Sequence, residues 1–232
     1  VDGDPIAMTN VFLTQAATAD LPSQRNILIV APRDTPRGVS VGASSTAILI
    51  ELARSALKSK FRHRLIFLSV DGTAVGNAGL RWYLQSVERS RIAAVVVLDA
   101  PGEGTGREIH LWAGGAGRQG LSLRQMAVRS VESAGFVASP LPSMREQLLL
   151  MAAPETRGDQ RAAIDRGVPA ITLAGRDEAV ISARAPQPTL ERVDAAGTAT
   201  LELINRLDAI ERAQAPDGAL AYAGKVLRPS VG

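Results

Sequence analysis

Short apolar runs alternate with longer amphipathic stretches along most of this chain. Asn26–Val30 (NILIV) is a β-favouring apolar run closed by Ala31-Pro32, and it predicts a buried strand. Ser44–Leu57 repeats its apolar positions at helical spacing, with a Ser pair suited to capping its start. Further strands are predicted at Arg64–Val70, Ile92–Leu98, Glu108–Trp112 and Ala170–Leu173, and Ile92–Leu98 is the most uniformly apolar of them. Helices are predicted at Asn77–Val87, Leu121–Ser133, Arg161–Arg166 and Leu190–Ala213. Strands that are apolar on both faces and separated by helices argue for a largely parallel sheet covered on both sides. Ser139–Asp159 is rich in Pro, Met and charge, has no period, and reads as loop. No internal repeat or composition break divides the chain, so residues 1–232 are expected to form one α/β domain.

Composition narrows the chemistry. With 232 residues, 46% apolar and 21% charged, the chain is globular in type. Its apolar runs fall far short of the roughly 18 residues that a membrane span needs. The absence of cysteine removes disulfides, Cys-ligated zinc, iron–sulfur clusters and thiol nucleophiles together. Two histidines, His63 and His110, are too few for a His-rich metal site. The net charge of +3 is a small difference between 26 basic and 23 acidic groups, and the basic residues are mostly Arg, dispersed along the chain. No basic cluster is interleaved with aromatic residues, so nucleic acid is not expected as a partner.

Local motifs are weak. Gly115–Gly120 matches G-x-G-x-x-G, but it lies midway along the chain rather than in a first strand–helix turn, and reads as a glycine loop. Gly42-Ala43-Ser44-Ser45-Thr46 fails the G-x-S-x-G elbow at Thr46, and no histidine follows His110. Ser44 and Ser45 are therefore read as helix caps. His63 is expected at the surface or at a strand edge, and His110 inside a strand without metal-ligand neighbours.

Taken in order, several segments resemble the di-zinc aminopeptidases of metallopeptidase family twenty-eight, over about Asn10 to Asp208. Ile27–Thr35 is similar to a strand that in the family ends Ala-His-x-Asp-Ser. Val39–Ser45, running into Glu51-Leu52-Ala53-Arg54, resembles the Gly-Ala-x-Asp-Asn-Ala-Ser-Gly loop and its helix. Leu68–Arg81 resembles the Glu-Glu segment, and Val95–Asp99 a strand ending in a metal-proximal Asp. Gly158-Asp159-Gln160, Arg166–Ala170 and Thr189–Asp194 are similar to the Ser-Asp-His, Gly-Ile-Pro-Ala and Asp-Thr-Leu-Asp pieces. The resemblance implies a three-layer α/β/α sandwich around a mostly parallel, mixed sheet, the phosphorylase/hydrolase-like Zn-exopeptidase architecture.

Departures from the family pattern fall on its chemistry. Pro32 stands at the first ligand histidine, Val41 at the bridging Asp, Thr73-Ala74 at the Glu pair, and Arg184 on or near the last ligand histidine. Asp99 and the supporting Asp34 persist. A zinc hydrolase needs about three protein ligands per ion, an open position for water, and a carboxylate base. Pro, Val and Ala supply none of these, and Arg brings a like charge. The resemblance thus implies a vestigial cleft of Pro32, Arg33, Asp34, Val41, Asp71, Thr73, Ala74, Asp99 and Arg184. Within it, Arg33, Asp34, Asp71, Asp99 and Arg184 are placed to form ion pairs. No catalytic residue and no cofactor are expected. The expected role is a non-catalytic scaffold or binding module for a protein or peptide partner, and the alternative is a hydrolase with a rearranged site. By analogy with tethered, inactive members, and from the Val1 start and polar, basic Gly224–Ser230 end, the domain is expected to be excised from a membrane-associated protein. It would sit on the extracytoplasmic face or be secreted, touching membrane only through flanking segments.

Overall fold

The computed structural model describes residues 7–34, 43–112, 121–140, 143, 145, 158–177, 186–210, 220–222 and 225–227. Strands are β1 (Val11–Gln15), β2 (Asn26–Pro32), β3 (Arg64–Val70), β4 (Ile92–Asp99), β5 (Glu108–Trp112), β6 (Val137–Ala138), β7 (Ala170–Ala174), β8 (Leu220–Tyr222) and β9 (Lys225–Leu227). Helices are α1 (Ala43–Ala56), α2 (Ala78–Ser86), α3 (Leu121–Ser133), α4 (Gln160–Ile164) and α5 (Leu190–Asp208). Short 3-10 turns at Thr73–Val75 and Arg89–Arg91 precede α2 and β4.

Seven strands form one mixed sheet in the order β1-β3-β2-β4-β7-β5-β6. Its centre is parallel: β2 pairs with β3 and β4, and β4 pairs with β7. The flanks reverse, with β1 antiparallel to β3 and β5 antiparallel to β7. Strands β8 and β9 pair with each other as a separate antiparallel ladder.

The alternation of side chains along β2 shows why both faces must be covered. Ile27, Ile29 and Ala31 enter one core with Ile48, Leu49 and Leu52 of α1, Leu123, Ala127 and Val131 of α3, and Leu203 and Leu207 of α5. Leu28 and Val30 enter the other, with Leu80 and Leu84 of α2 and Ala162 and Ala163 of α4. The result is the expected α/β/α sandwich. Each fully buried Leu, Ile or Val contributes about 1.5–3 kcal/mol. Among the described residues no helix is long and apolar enough to cross a membrane.

Two expectations need correcting. His63 is fully buried, and its Nδ1 lies 3.1 Å from Asp208 Oδ1. The backbone N–H groups of Arg62 and His63 also donate to that carboxylate, at 2.9 and 2.7 Å. This cluster ties the start of β3 to the end of α5, which explains the burial. Ser44 and Ser45 do not serve the turns of their own helix as caps. Ser45 Oγ accepts from the Ala100 N–H at 2.8 Å and Ser44 Oγ from the Gly102 N–H at 3.3 Å, so both fasten the loop after β4.

Candidate functional site

Chain order in the sheet reverses around β2 and β4. β2 connects through α1 to β3 on one side, whereas β4 lies on its other side. In open α/β sheets the crevice at the carboxyl ends of such strands is where ligands bind. Pro32, Arg33 and Asp34 leave β2 there, Asp71, Thr73 and Ala74 follow β3, and Asp99 closes β4. Seven of the nine candidate residues thus gather at one edge. Val41 and Arg184 lie outside the described residues, as do the Gly115–Gly120 loop and most of Ser139–Asp159.

The turn after β3 is shaped by Asp34. Its Oδ1 accepts from the Thr73 N–H and its Oδ2 from the Ala74 N–H, each at 3.0 Å. Both oxygens are therefore engaged by the free N–H groups at the start of a 3-10 turn. Gly72, at φ 75°, lets the chain enter this turn in a left-handed conformation. Asn77 also sits at positive φ, 60°, and its amide donates to Gly158 O at 2.9 Å, which ties the turn to the segment before α4.

Arg33 and Asp71 pair at 3.5 Å, and the Arg33 guanidinium also donates to the Thr9 carbonyl. Asp71 accepts from the N–H groups of Gly72 at 2.9 Å and Thr9 at 3.3 Å. Of the five charged residues placed together by the sequence, Arg33 and Asp71 pair with each other, whereas Asp34 bonds to backbone N–H groups.

Two residues outside the candidate set complete the site. Asp159, 2% exposed, accepts from Thr73 Oγ1 at 2.8 Å through Oδ2. Its Oδ1 is buried and has no hydrogen-bond partner among the described residues. Burial raises its pKa to about 7; the Thr73 hydrogen bond opposes this, while the charges of Asp99 and Asp34 reinforce it. Arg176 follows β7 and places its guanidinium 3.9 Å from Asp99. Burial pushes the Asp99 carboxyl up, and Arg176 pulls it partly back. Gly158-Asp159-Gln160 was matched in the sequence, and Arg176 stands just past a parallel strand's carboxyl end. Those are the signals that could have found them.

The crevice is held by close packing. A Cβ on Gly175 would lie 1.5 Å from Glu103 O and 2.3 Å from Ala100 O, so only glycine fits where β7 passes the loop after β4. Ala100 itself is at φ 49°, and its N–H is the one received by Ser45. The Trp112 indole N–H donates to Arg176 O at 2.9 Å, which fixes the backbone that carries this guanidinium.

A mixed seven-stranded sheet covered on both faces, with a polar crevice at its switch point, defines an α/β/α sandwich protein. Residues 18–200 match the profile of Peptidase family M28, and the chain belongs to that family. No match is found among curated protein sequences. Among solved structures, the chain is similar to a zinc aminopeptidase from Bacillus subtilis (TM-score 0.69, 17% identity), covering 90% of this chain and 52% of that one. It is similar to an aminopeptidase from Aneurinibacillus sp. strain AM-1, with a TM-score of 0.68, 17% identity, and 89% and 49% coverage. A glutaminyl cyclase from Porphyromonas gingivalis superposes with a TM-score of 0.67 at 14% identity, covering 88% of this chain and 80% of that one. The chain spans about half the length of the two aminopeptidases.

Proposed function

We propose that this chain is a non-catalytic member of its family, a peptidase-fold domain that serves as a scaffold or binding module for a protein or peptide. The observation that carries this reading is what occupies the metal-bearing edge. Asp34 spends both carboxylate oxygens on backbone N–H groups, Asp99 faces a guanidinium, and Asp159 is held by Thr73. Pro32 and Ala74 offer no lone pair at positions that resemble a ligand and a Glu of the family. Among the described residues no group of three His, Cys, Asp or Glu side chains is placed to hold a metal ion. A pair of zinc ions does not fit this donor set.

What remains is a crevice of alternating charge, with Arg33 and Arg176 against Asp34, Asp71 and Asp99. Such a surface can orient a peptide by its own charges without any bond-breaking step. Placement outside the cytoplasm, beside a membrane, belongs to the same proposal and rests on the analogy with tethered family members.

Metal content decides the central part. After zinc loading and extensive buffer exchange, elemental mass spectrometry should find less than about a tenth of an equivalent per chain. One or two tightly bound equivalents, together with release of an N-terminal residue from model peptides, would overturn the reading.

A further inference from the structure

Basic residues that are scattered in the sequence meet at one end of the sheet. The parallel strands β2, β3 and β4 all start there, with Asn26 of β2 in register with Arg64 and with Ile92. Arg25 precedes β2, Arg62 and Arg64 stand at the start of β3, and Arg89 precedes β4. Lys58 and Lys60 lie in the short link from α1 to β3. Of these six, Lys58, Lys60, Arg64 and Arg89 are exposed. Adjacent strands lie about 4.8 Å apart, so the positions spread charge over a face rather than a slot.

Carboxylates beside these strand starts do not balance the cations. Among the described residues they are Asp20, Glu88 and Asp208. Glu88 pairs with Arg91 at 3.6 Å, and Asp208 accepts from the backbone N–H groups of Arg62 and His63. Residues 211–219, which follow α5, carry Glu211, Arg212 and Asp217, one net negative charge, so the excess survives wherever they lie. Two leucines stand among the cations. Leu57, next to Lys58, is 65% exposed, and Leu21 is 78% exposed. The N–H groups of Ala19 and Ser23 donate to Phe61 O at 3.1 Å and Arg62 O at 2.7 Å, so Leu21 is carried on a loop against the same link.

We propose that this end of the sheet docks on an anionic phospholipid bilayer, with its cations at the headgroup phosphates and Leu21 and Leu57 in the interfacial layer. The mixture of residues sets the occupant. A headgroup layer takes cations at any spacing and accepts exposed apolar tips between them. A nucleic acid calls for aromatic residues between the cations, and Phe61, between Lys60 and Arg62, is buried. β2, β3 and β4 end at the crevice, so docking by their starts turns the crevice away from the bilayer. The domain itself then meets lipid, beyond the contact through flanking segments expected from the sequence. None of this depends on whether the crevice binds a metal or a peptide.

Cosedimentation of the full chain with vesicles tests the proposal. Binding is expected to phosphatidylcholine vesicles containing about 30% phosphatidylglycerol and not to phosphatidylcholine alone. It should fade between about 0.1 and 1 M salt, as the screening length falls from about 10 to about 3 Å. Each cation at such a surface strengthens binding about fivefold, so Lys58→Ala with Lys60→Ala should weaken it at least about tenfold. Leu21→Ser with Leu57→Ser should weaken it severalfold at unchanged charge. Arg129→Ala, at an exposed position on α3, should stay within about twofold of the parent. All variants are checked for native circular dichroism. Absence of binding, equal binding to both vesicles, or indifference to the lysine pair overturns the proposal. Retention on duplex DNA that the lysine pair abolishes, without vesicle binding, also overturns it, because the face would then serve a different polyanion.

Discussion

A carboxyl group buried near two others can lower its energy by finding a cation or by keeping its proton. Asp99 takes the first course with Arg176, and Asp159 takes the second, with a pKa raised to about 7 against an ordinary value of 3.8. The sign of the pH effect follows. Between those values the folded chain holds a proton that the unfolded chain has released, so stability falls as pH rises. The contribution is fully present below the unfolded pKa and is lost as pH passes through about 7, a change on the order of 4 kcal/mol. Asp159→Asn keeps an acceptor for Thr73 and removes the titration. It should raise the melting temperature at pH 8 by several degrees more than at pH 5, measured by scanning calorimetry. Equal shifts at the two pH values would show that Asp159 is not the titrating group. At this scale the sequence was informative about identity and poor on partnership. Asp34 and Asp99 stand out as survivors of a pattern, and the structure puts them at one edge together with Asp71. What the letters do not carry is where each carboxylate points. Asp34 went to the backbone of a turn 39 residues on, and Arg176 entered from a strand that a linear pattern does not place beside Asp99.

Elements were legible in proportion to how much apolar surface each buries. Strands β3 and β5 match the predicted Arg64–Val70 and Glu108–Trp112 spans, and α3 matches Leu121–Ser133, because their apolar positions decide their boundaries. α5 stops at Asp208 rather than Ala213, where the Ala209 N–H turns back to Asn205 O and the Ile210 N–H to Leu207 O. β1 was not predicted: Val-Phe-Leu-Thr-Gln is an edge strand with little burial to give it a pattern, and β6 is only two residues long. The reversal of β5 against β7 is likewise a tertiary choice. Where elements meet, glycine tests the packing. Gly175→Ala must move β7 away from the loop after β4, and should cost at least about 3 kcal/mol in urea unfolding or prevent folding. Gly76→Ala, at positive φ but with open space around its Cβ, should cost only about 1 kcal/mol. Comparable losses from both would mean that the contact between β7 and that loop is looser than the close approach at Gly175 implies.

For the molecule as a whole, the two cores make the sheet's centre the last part to open. β4 is buried along its length and paired on both sides by parallel strands, while β1 pairs with one strand among the described residues and its side chains are mostly exposed. Native-state hydrogen exchange should therefore be slowest in β2 and β4 and faster in β1. The crevice lies against the rigid part, at the ends of β2 and β4, so any ligand it binds tightly must register in global stability. An ion held a thousandfold below its free concentration would stabilise the chain by about 4 kcal/mol, several degrees in melting temperature for a protein of this size. The ion pair between Arg176 and Asp99 already supplies positive charge there, and both Asp34 oxygens accept backbone hydrogen bonds. The melting temperature should therefore move by less than about 1 °C between excess chelator and excess zinc. In Arg176→Gln the cation is gone and Asp99 is left buried without it, so the baseline should drop, and whether zinc restores it separates two origins for the crevice. Recovery with zinc would mean that the arginine masks a usable ion site. No recovery would mean that the remaining carboxylates are too few to hold an ion.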